Sequence, residues 1–274
     1  MISLFRKRAR KSLGFSAATP AAAASTRPAL PDGLLPINQS EPGDIFVTGY
    51  PKSGNTWVQY MLASVVYGLD LAHVPDQLVQ DVIPCLHWRT TYRRYGSPMW
   101  FKSHALPAPH YRKVIYLVRD GRDVMVSYLH HLQALERKVH DFLHLVSSGE
   151  GLFLSKWHEH VRQWQTNPYG ADIITVRYED LHADPLRELQ RMCQFAGLNR
   201  ETTALQRAIE QARFGALRER EKQLGWDNQH WPKDKPFVRR GAVGSYADEM
   251  PPEVLRAFLD EAADVLKAMG YSVT

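Results

Sequence analysis

The sequence contains few cysteines and no long apolar run. Its two cysteines, Cys85 and Cys193, are too few for a disulfide framework or a cysteine zinc site. This scarcity is consistent with a reducing compartment. No segment approaches the roughly 18–20 apolar residues that a membrane-spanning helix needs. No internal repeat is visible either. We therefore expect neither a disulfide-stapled fold, nor a membrane span, nor a repeat array.

Acidic residues are missing from the first 31 residues, which carry six of the 34 basic residues of the chain. All 29 acidic residues follow, so the remainder is close to neutral and the isoelectric point near 9.1 arises from this tail. Global charge therefore gives no support to nucleic-acid binding. The Ala/Ser/Pro-rich composition predicts a disordered tail over residues 1–42, followed by a single domain over 43–274. A cytoplasmic location is expected, with organelle targeting by the basic tail as the alternative.

Apolar patterning predicts alternating strands and helices. Strands are predicted at 44–50, 99–104, 113–119 and 172–178. Helices are predicted at 55–69, 120–135, 152–165, 185–197 and 251–270. This alternation favours an α/β, P-loop-like three-layer fold with a central, mostly parallel β-sheet flanked by helices. Ligands of such folds bind beyond the carboxyl ends of the strands, where Gly49, Arg119 and Tyr178 fall.

The segment "GYPKSGNTW" (49–57) resembles a Walker A loop without the Walker lysine. Gly49, Gly54 and Thr56 match that pattern, but Asn55 occupies the lysine position and Lys52 lies three residues earlier. A strand, a glycine-containing turn and a helix start can still bind an anion through backbone N–H groups and the helix dipole. The alternative is a plain turn.

Two further segments carry anion-binding side chains. In "RDGRDVMVSY", Arg119 ends a strand and Ser127 lies about two turns into the next helix, so a charged fork and a hydroxyl are available. In "FVRRGAVGSY", Arg239 and Arg240 precede Gly241 in a loop. Each segment taken alone also fits a solvated surface. Three separated signals together suggest a ligand with phosphates at two ends.

One histidine stands out as a candidate general base. His104 ends a predicted strand and follows Lys102 at i+2, which places both side chains on one face. A histidine pKa near 6.5 suits proton removal from a hydroxyl at neutral pH. On this pattern alone, a structural histidine remains the alternative.

These motifs, in this order and spacing, resemble the cytosolic-type sulfotransferase family, which depends on 3′-phosphoadenosine 5′-phosphosulfate (PAPS). The resemblance covers roughly residues 44–246. "YPKSGNTW" is similar to that family's YPKSGTTW, "RDGRDVMVSY" to R-N-x-K-D-V-x-V-S-Y, and "RRGAVG" to RKGxxG. "FKSHALP" is similar to KTHLP, and "VRYEDL" to a strand end reading YEDL/M.

The resemblance implies a function and a donor site. A sulfuryl group would pass from PAPS to a hydroxyl of a small acceptor by in-line displacement, leaving adenosine 3′,5′-bisphosphate and requiring no metal. The 5′-phosphosulfate would be held by Lys52, Ser53, Gly54, Asn55 and Thr56. The 3′-phosphate would be held by Arg119, Ser127, Arg239, Arg240 and Gly241. Trp57, Tyr178 and Phe214 would enclose the adenine.

The resemblance also implies the catalytic roles. His104 would be the general base, Lys52 would stabilise the leaving oxygen, Lys102 would assist, and Ser127 would modulate the lysine. The K-x-x-x-T-V dimer segment of the family is absent, which leaves the oligomeric state open. Aromatic segments within 73–100 and 215–237 are candidates for an acceptor pocket suited to a phenol, an alcohol or a sugar. An ATP-dependent kinase and a non-catalytic nucleotide-binding relative remain the alternative functions.

Overall fold

The computed structural model describes residues 30–137, 141–225, 231–238 and 240–273. The chain divides into two compact units, Met1–Asp32 and Gly33–Thr274, and the elements below belong to the second. Most of the predicted disordered tail, residues 1–29, lies outside the described residues. None of the described helices is long and apolar enough to cross a membrane.

The centre of the fold is a parallel sheet. The described strands are β1 Leu34–Pro36, β2 Ile45–Gly49, β3 Thr91–Arg93, β4 Trp100–Ser103, β5 Lys113–Val118 and β6 Asp172–Arg177. Within this part of the chain, the parallel sheet has the order β4-β2-β5-β6, and β1 pairs with β3 in a separate antiparallel ribbon. In register, Ile45 of β2 lies opposite Trp100 of β4 and Lys113 of β5. The carboxyl ends of these strands therefore meet at one edge.

Helices cover both faces of this sheet. Their bounds are α1 Asn55–Tyr67, α2 Asp76–Val82, α3 Gly121–Ala134, α4 Phe142–Ser148, α5 Trp157–Thr166, α6 Tyr178–Ala183, α7 Pro185–Ala196, α8 Thr202–Gln211, α9 Phe214–Leu224, α10 Tyr246–Glu249 and α11 Pro252–Ala268. Phe46 of β2 packs in one core with α3, α5 and α11. Its neighbours Ile45 and Val47 pack in the other with α1, α7 and α8. All residues of β2 are buried, as expected for a strand covered on both faces. The predicted three-layer α/β fold is confirmed.

Three details differ from the sequence prediction. Strand β1 lies inside the segment 1–42 assigned to the tail, because residues 34–36 pair with β3. Helix α5 begins at Trp157 rather than at residue 152, since Leu154 has a positive φ of 72°. The backbone N–H of Lys156 then donates to Glu159 at 2.9 Å, which sets the helix start. The segments 73–100 and 215–237 also contain α2, β3 and most of α9, in addition to loops.

Candidate active site

The turn between β2 and α1 is shaped by its two glycines. A Cβ on Gly49 would clash with the carbonyl oxygen of Leu117, so the neighbouring strand β5 excludes any larger residue. Gly54 caps α1 with φ of 93°, and a Cβ there would lie 2.7 Å from the ring of Tyr178. Lys52 also has a positive φ, 74°, which a non-glycine residue adopts at an energetic cost. The backbone is thus held in a tight curl above the start of α1.

This turn contains buried polar atoms without a hydrogen-bond partner among the described residues. They are Ser53 Oγ, Asn55 Oδ1 and Trp57 Nε1. The Asn55 amide donates to the carbonyl oxygen of Tyr50 at 3.0 Å, so this residue fixes the turn where a Walker lysine would stand. The N-cap residue of α1, Gly54, has no side chain to cap the first N–H groups, which suits the start of this helix to an anion. Orphaned buried polar atoms are rare, and two of them, Ser53 Oγ and Asn55 Oδ1, belong to residues that the family resemblance assigns to the phosphosulfate.

Arg119 links this turn to the C-terminal loop. Its guanidinium donates to the carbonyl oxygen of Lys52 at 3.3 Å and to that of Ala242 at 2.8 Å. It also lies over the ring of Tyr178, 4.5 Å from the centroid. Its Nε is buried without a partner in the described part of the chain. The side chain of Arg119, from the second predicted anion-binding segment, therefore hydrogen-bonds to both of the other two, the turn at Lys52 and the C-terminal loop at Ala242.

A buried carboxylate that the sequence did not single out strengthens this link. Asp123, in the first turn of α3, accepts from Arg119 at 3.2 Å. It also accepts from the backbone N–H groups of Gly244 at 2.8 Å and Tyr246 at 2.9 Å. The Asp123 side chain is fully buried. Its position four residues after Arg119 on a helix start was the available signal.

The C-terminal loop places Gly241 against Phe214. Gly241 has φ of 62°, and a Cβ there would lie 2.7 Å from the Phe214 ring. Arg240 is exposed and donates to Glu249 at 2.7 Å. The third predicted ligand of this segment, Arg239, lies outside the described residues.

These segments surround a cavity of about 310 Å³. Five predicted donor residues line it, namely Lys52, Arg119, Ser127, Arg240 and Gly241. The other lining residues include His130 and His131, which the sequence did not single out. They also include Trp231, Lys235 and Phe237, which belong to the segment 215–237 predicted for the acceptor pocket but line the same cavity as the predicted donor residues. The Lys52 ammonium lies 5.2 Å from the centroid of the Phe237 ring. The arrangement offers several cations and a hydroxyl to one anionic ligand.

The three residues predicted to enclose the adenine lie in two separate contacts, one between Trp57 and Tyr178 and one between Phe214 and Gly241. The rings of Trp57 and Tyr178 meet edge to face with centroids 5.7 Å apart. Phe214 begins α9 and packs on Gly241, as described above. All three residues are partly or fully buried.

His104 immediately follows β4 at the same sheet edge. Its Nδ1 lies 2.8 Å from the carbonyl oxygen of Gly49, so in the neutral ring Nδ1–H donates and Nε2 keeps its lone pair. The pKa of His104 is held well below its usual value, first by burial and then by the charge of Lys102. A neutral imidazole with a free Nε2 is the form that a general base requires.

Lys102 is fixed beside this histidine. Its ammonium donates to Thr56 Oγ1 at 2.9 Å and to Gln59 Oε1 at 3.2 Å. The residue is only 7% exposed, and burial lowers the pKa of its ammonium. Gln59 was not predicted as a site residue, although its position on the buried face of α1 was a signal. Lys102 thereby joins β4 to the first turns of α1.

Two further histidines contact His104: His87, which lies in the segment 73–100 predicted only as part of an acceptor pocket, and His160, which was not predicted. The backbone N–H of His104 donates to His87 Nε2 at 2.9 Å. His160 Nε2 lies 3.1 Å from the carbonyl oxygen of His104. Burial lowers the pKa of both side chains to about 4. No spacing in the sequence connects residues 87, 104 and 160.

Comparison with known proteins identifies the family of this chain. The sulfotransferase domain model matches residues 42–270. The sequence is 28% identical to Cytosolic sulfotransferase 1 of Danio rerio over 233 residues, which cover 76% of this chain and 77% of the relative. It is 26% identical to Sulfotransferase 1B1 of Mus musculus over 235 residues, with 76% and 77% covered.

Among solved structures, retinol dehydratase in complex with androsterone and the inactive cofactor PAP superposes with a TM-score of 0.65. The two sequences are 20% identical, and the match covers 84% of this chain and 82% of that one. At this identity the likeness concerns the fold alone. Because the domain model spans most of the chain, the protein belongs to the sulfotransferase family.

Proposed function

We propose that the protein transfers a sulfuryl group from PAPS to a hydroxyl of a small molecule. The observation that carries this proposal is the convergence at one cavity of Lys52, Arg119 and Arg240, one from each anion-binding segment. A donor with phosphates at two ends matches cations that come from three separate segments. Family membership and the PAP bound to retinol dehydratase support the same donor.

The residues present fit this donor. The orphaned Ser53 Oγ and the uncapped start of α1 suit the phosphosulfate end, together with Lys52. Arg119 has a buried Nε without a partner in the described chain and suits the 3′-phosphate, with Ser127. The aromatic pair Trp57 and Tyr178, and Phe214 beside Gly241, suit the adenine. Arg239 and Arg240 complete the proposed set.

His104 is the proposed general base. Its Nδ1–H is directed to Gly49, which orients the ring and leaves Nε2 to accept the proton of the acceptor hydroxyl. As the hydroxyl oxygen attacks sulfur and the sulfur–oxygen bond to the donor phosphate breaks, negative charge develops on the leaving oxygen. We assign the stabilisation of that charge to Lys52 and Lys102, and loss of one such group typically lowers kcat by about 10²–10³. Ser127 lines the same cavity as Lys52 and is proposed to modulate it.

The acceptor is proposed to be a small phenol, alcohol or sugar. Its site would adjoin His104, where His87 meets Phe153 edge to face at 5.1 Å. Retinol dehydratase has been crystallised with androsterone and with retinol, which are an alcohol-bearing steroid and an alcohol. A cytoplasmic location is part of the proposal and is supported by the name of the zebrafish relative.

Calorimetric titration with adenosine 3′,5′-bisphosphate in EDTA tests the donor site. We expect metal-independent binding that Lys52→Ala and Arg119→Ala each weaken at least tenfold. The exposed Lys222→Ala is the matched control, because its side chain is 66% exposed on α9 and its ammonium pairs with Glu219 at 3.4 Å. Preferential binding of ATP–Mg²⁺ would instead favour the kinase alternative.

Turnover is tested with PAPS and three probe acceptors, 2-naphthol, androsterone and retinol. We expect transfer to at least one of them, and its loss in His104→Ala with nucleotide affinity unchanged. Near-normal turnover in His104→Ala would refute its role as the base. Nucleotide binding without transfer to any hydroxyl probe would favour a non-catalytic relative.

A further inference from the structure

The peptide group and ring of His104 are held by three hydrogen bonds. Its N–H donates to His87 Nε2 at 2.9 Å. Its carbonyl oxygen accepts from His160 Nε2 at 3.1 Å, and its Nδ1 donates to Gly49 at 2.8 Å. The only ring nitrogen of His104 outside these bonds is Nε2, the atom that removes the proton in the proposed reaction.

The N–H of His104 lies where backbone pairing stops. Strand β4 is the outermost strand of the described parallel sheet, and residues 84–86 run beside it through a parallel bridge between Cys85 and Lys102. Lys102 N–H donates to the carbonyl oxygen of Pro84 at 2.9 Å, and Leu86 N–H donates to that of Lys102 at 3.0 Å. In a continuing parallel ladder, the N–H of His104 would bond to the carbonyl oxygen of Leu86. It bonds instead to the side chain of His87, which replaces the next backbone partner.

The direction of this bond fixes the protonation state of His87. A backbone N–H can only donate, so His87 Nε2 must carry a lone pair and the proton of the neutral ring lies on Nδ1. His160 has the opposite tautomer, because Nε2–H donates to His104 and Nδ1 accepts from the Tyr116 hydroxyl at 3.1 Å. Burial of both rings favours these neutral forms.

His87 also contacts the ring of His104. The two imidazoles stack with centroids 5.8 Å apart and planes 19° apart. Phe153 packs edge to face on the His87 ring, with centroids 5.1 Å apart. His87 is therefore placed to hold both the backbone and the ring plane of His104.

We propose that His87 is a positioning residue for the general base His104, acting as a side-chain acceptor for the His104 N–H. This inference rests on the proposed function. Displacement of a catalytic group by about 1 Å can cost about 100-fold in rate. Loss of the hydrogen-bond acceptor His87 Nε2 should therefore slow the chemical step and leave the binding of the nucleotide unchanged.

Two substitutions separate the hydrogen bond from the packing. His87→Leu keeps an apolar side chain but no acceptor, whereas His87→Gln offers Oε1 to the His104 N–H. With PAPS and the best of the three probe acceptors, we expect kcat to fall about 10- to 100-fold in the leucine variant and less than about fivefold in the glutamine variant. The Kd for adenosine 3′,5′-bisphosphate should stay within about twofold in both. The exposed His73→Leu, with a side chain 81% exposed, is the control.

A kcat within twofold of wild type in His87→Leu would overturn the inference. Equal losses in the leucine and glutamine variants would also overturn it, since packing rather than the acceptor would then matter. His87→Ala provides a second acceptor-free variant if the leucine variant does not fold.

Amide hydrogen exchange at His104, measured by NMR, gives a readout that needs no turnover. We expect at least tenfold faster exchange in His87→Leu and near-wild-type exchange in His87→Gln. An inactive wild-type protein with this exchange pattern would mean that the proposed function has failed while the hydrogen bond exists. If the protein is active but the amide exchange rate of His104 is the same in wild type and in the His87 variants, the proposed positioning role of His87 has failed.

Discussion

Replacing Asp123 by asparagine removes the negative charge that holds Arg119 and the C-terminal loop together. The carboxylate accepts from Arg119, Gly244 and Tyr246 at 2.8–3.2 Å, and its side chain is fully buried. Asparagine keeps one oxygen, which in the best orientation still accepts from Arg119 and Gly244. Its amide nitrogen then faces the N–H of Tyr246, and two donors cannot bond.

The magnitude follows from these losses. Changing one partner of a buried ion pair costs about 3–5 kcal/mol, and leaving a buried N–H without an acceptor costs about 1–3 kcal/mol. The two bonds that asparagine retains offset part of this sum, so we expect a loss of about 2–4 kcal/mol in the free energy of unfolding. Urea denaturation measures it.

Nucleotide affinity provides the decisive assay. A loop detached from α3 no longer presents Arg240 and Gly241 to the cavity. Asp123→Asn should therefore weaken adenosine 3′,5′-bisphosphate binding about 10- to 100-fold, or about 1.4–2.8 kcal/mol. Asp123→Glu should rescue part of this loss. Unchanged or tighter binding in Asp123→Asn would refute the reasoning, because Asp123 would then compete with the phosphate for Arg119 instead of positioning it.

Three further predictions concern the turn, the buried histidines and a buried arginine. Gly54→Ala should weaken adenosine 3′,5′-bisphosphate binding at least tenfold in calorimetry, since φ of 93° and the Tyr178 ring leave no room for a methyl group, and wild-type affinity would contradict this. The pKa values of His87 and His160 lie near 4 in the folded chain, below about 6.5 when unfolded, so the unfolded state binds more protons and the free energy of unfolding should fall as pH drops from 6.5 to 4. A pH-independent urea midpoint across that range would count against their burial as neutral rings. Arg220→Ala should lower the free energy of unfolding by about 2–4 kcal/mol in urea denaturation. Arg220 is only 5% exposed and donates to the Tyr60 hydroxyl at 3.0 Å and to the carbonyl oxygen of Val74 at 2.8 Å. A loss below about 1 kcal/mol would show that these two hydrogen bonds are dispensable.

The fold was predictable because its main elements have local signals. Strand β2 reads as an apolar run ending in glycine, and α11 begins with proline and ends near glycine. The predicted start of α5 at residue 152 was wrong, because the apolar residues at 152–154 continue a helical pattern that the backbone does not follow. The ribbon of β1 and β3 was missed because two three-residue strands have too little periodicity to detect.

The candidate site divides in the same way. Lys52, Arg119 and Arg240 have motifs around them, and the structure brings them to one cavity as expected. His87 has no motif, because its role depends on residues 84–86 running beside β4. Such lateral contacts between distant segments are set by tertiary packing, which spacing along a single sequence does not record.

The residues that line the cavity lie far apart in the sequence, from Lys52 to Ala242. During synthesis the N-terminal part of a chain emerges first, so the turn at 49–56 exists long before its C-terminal partners. The donor can bind tightly only after residues 240–246 have reached Asp123 and Arg119. Because a ligand stabilises only the state that binds it, the nucleotide should favour the chain in which residues 240–246 have docked over forms in which they have not.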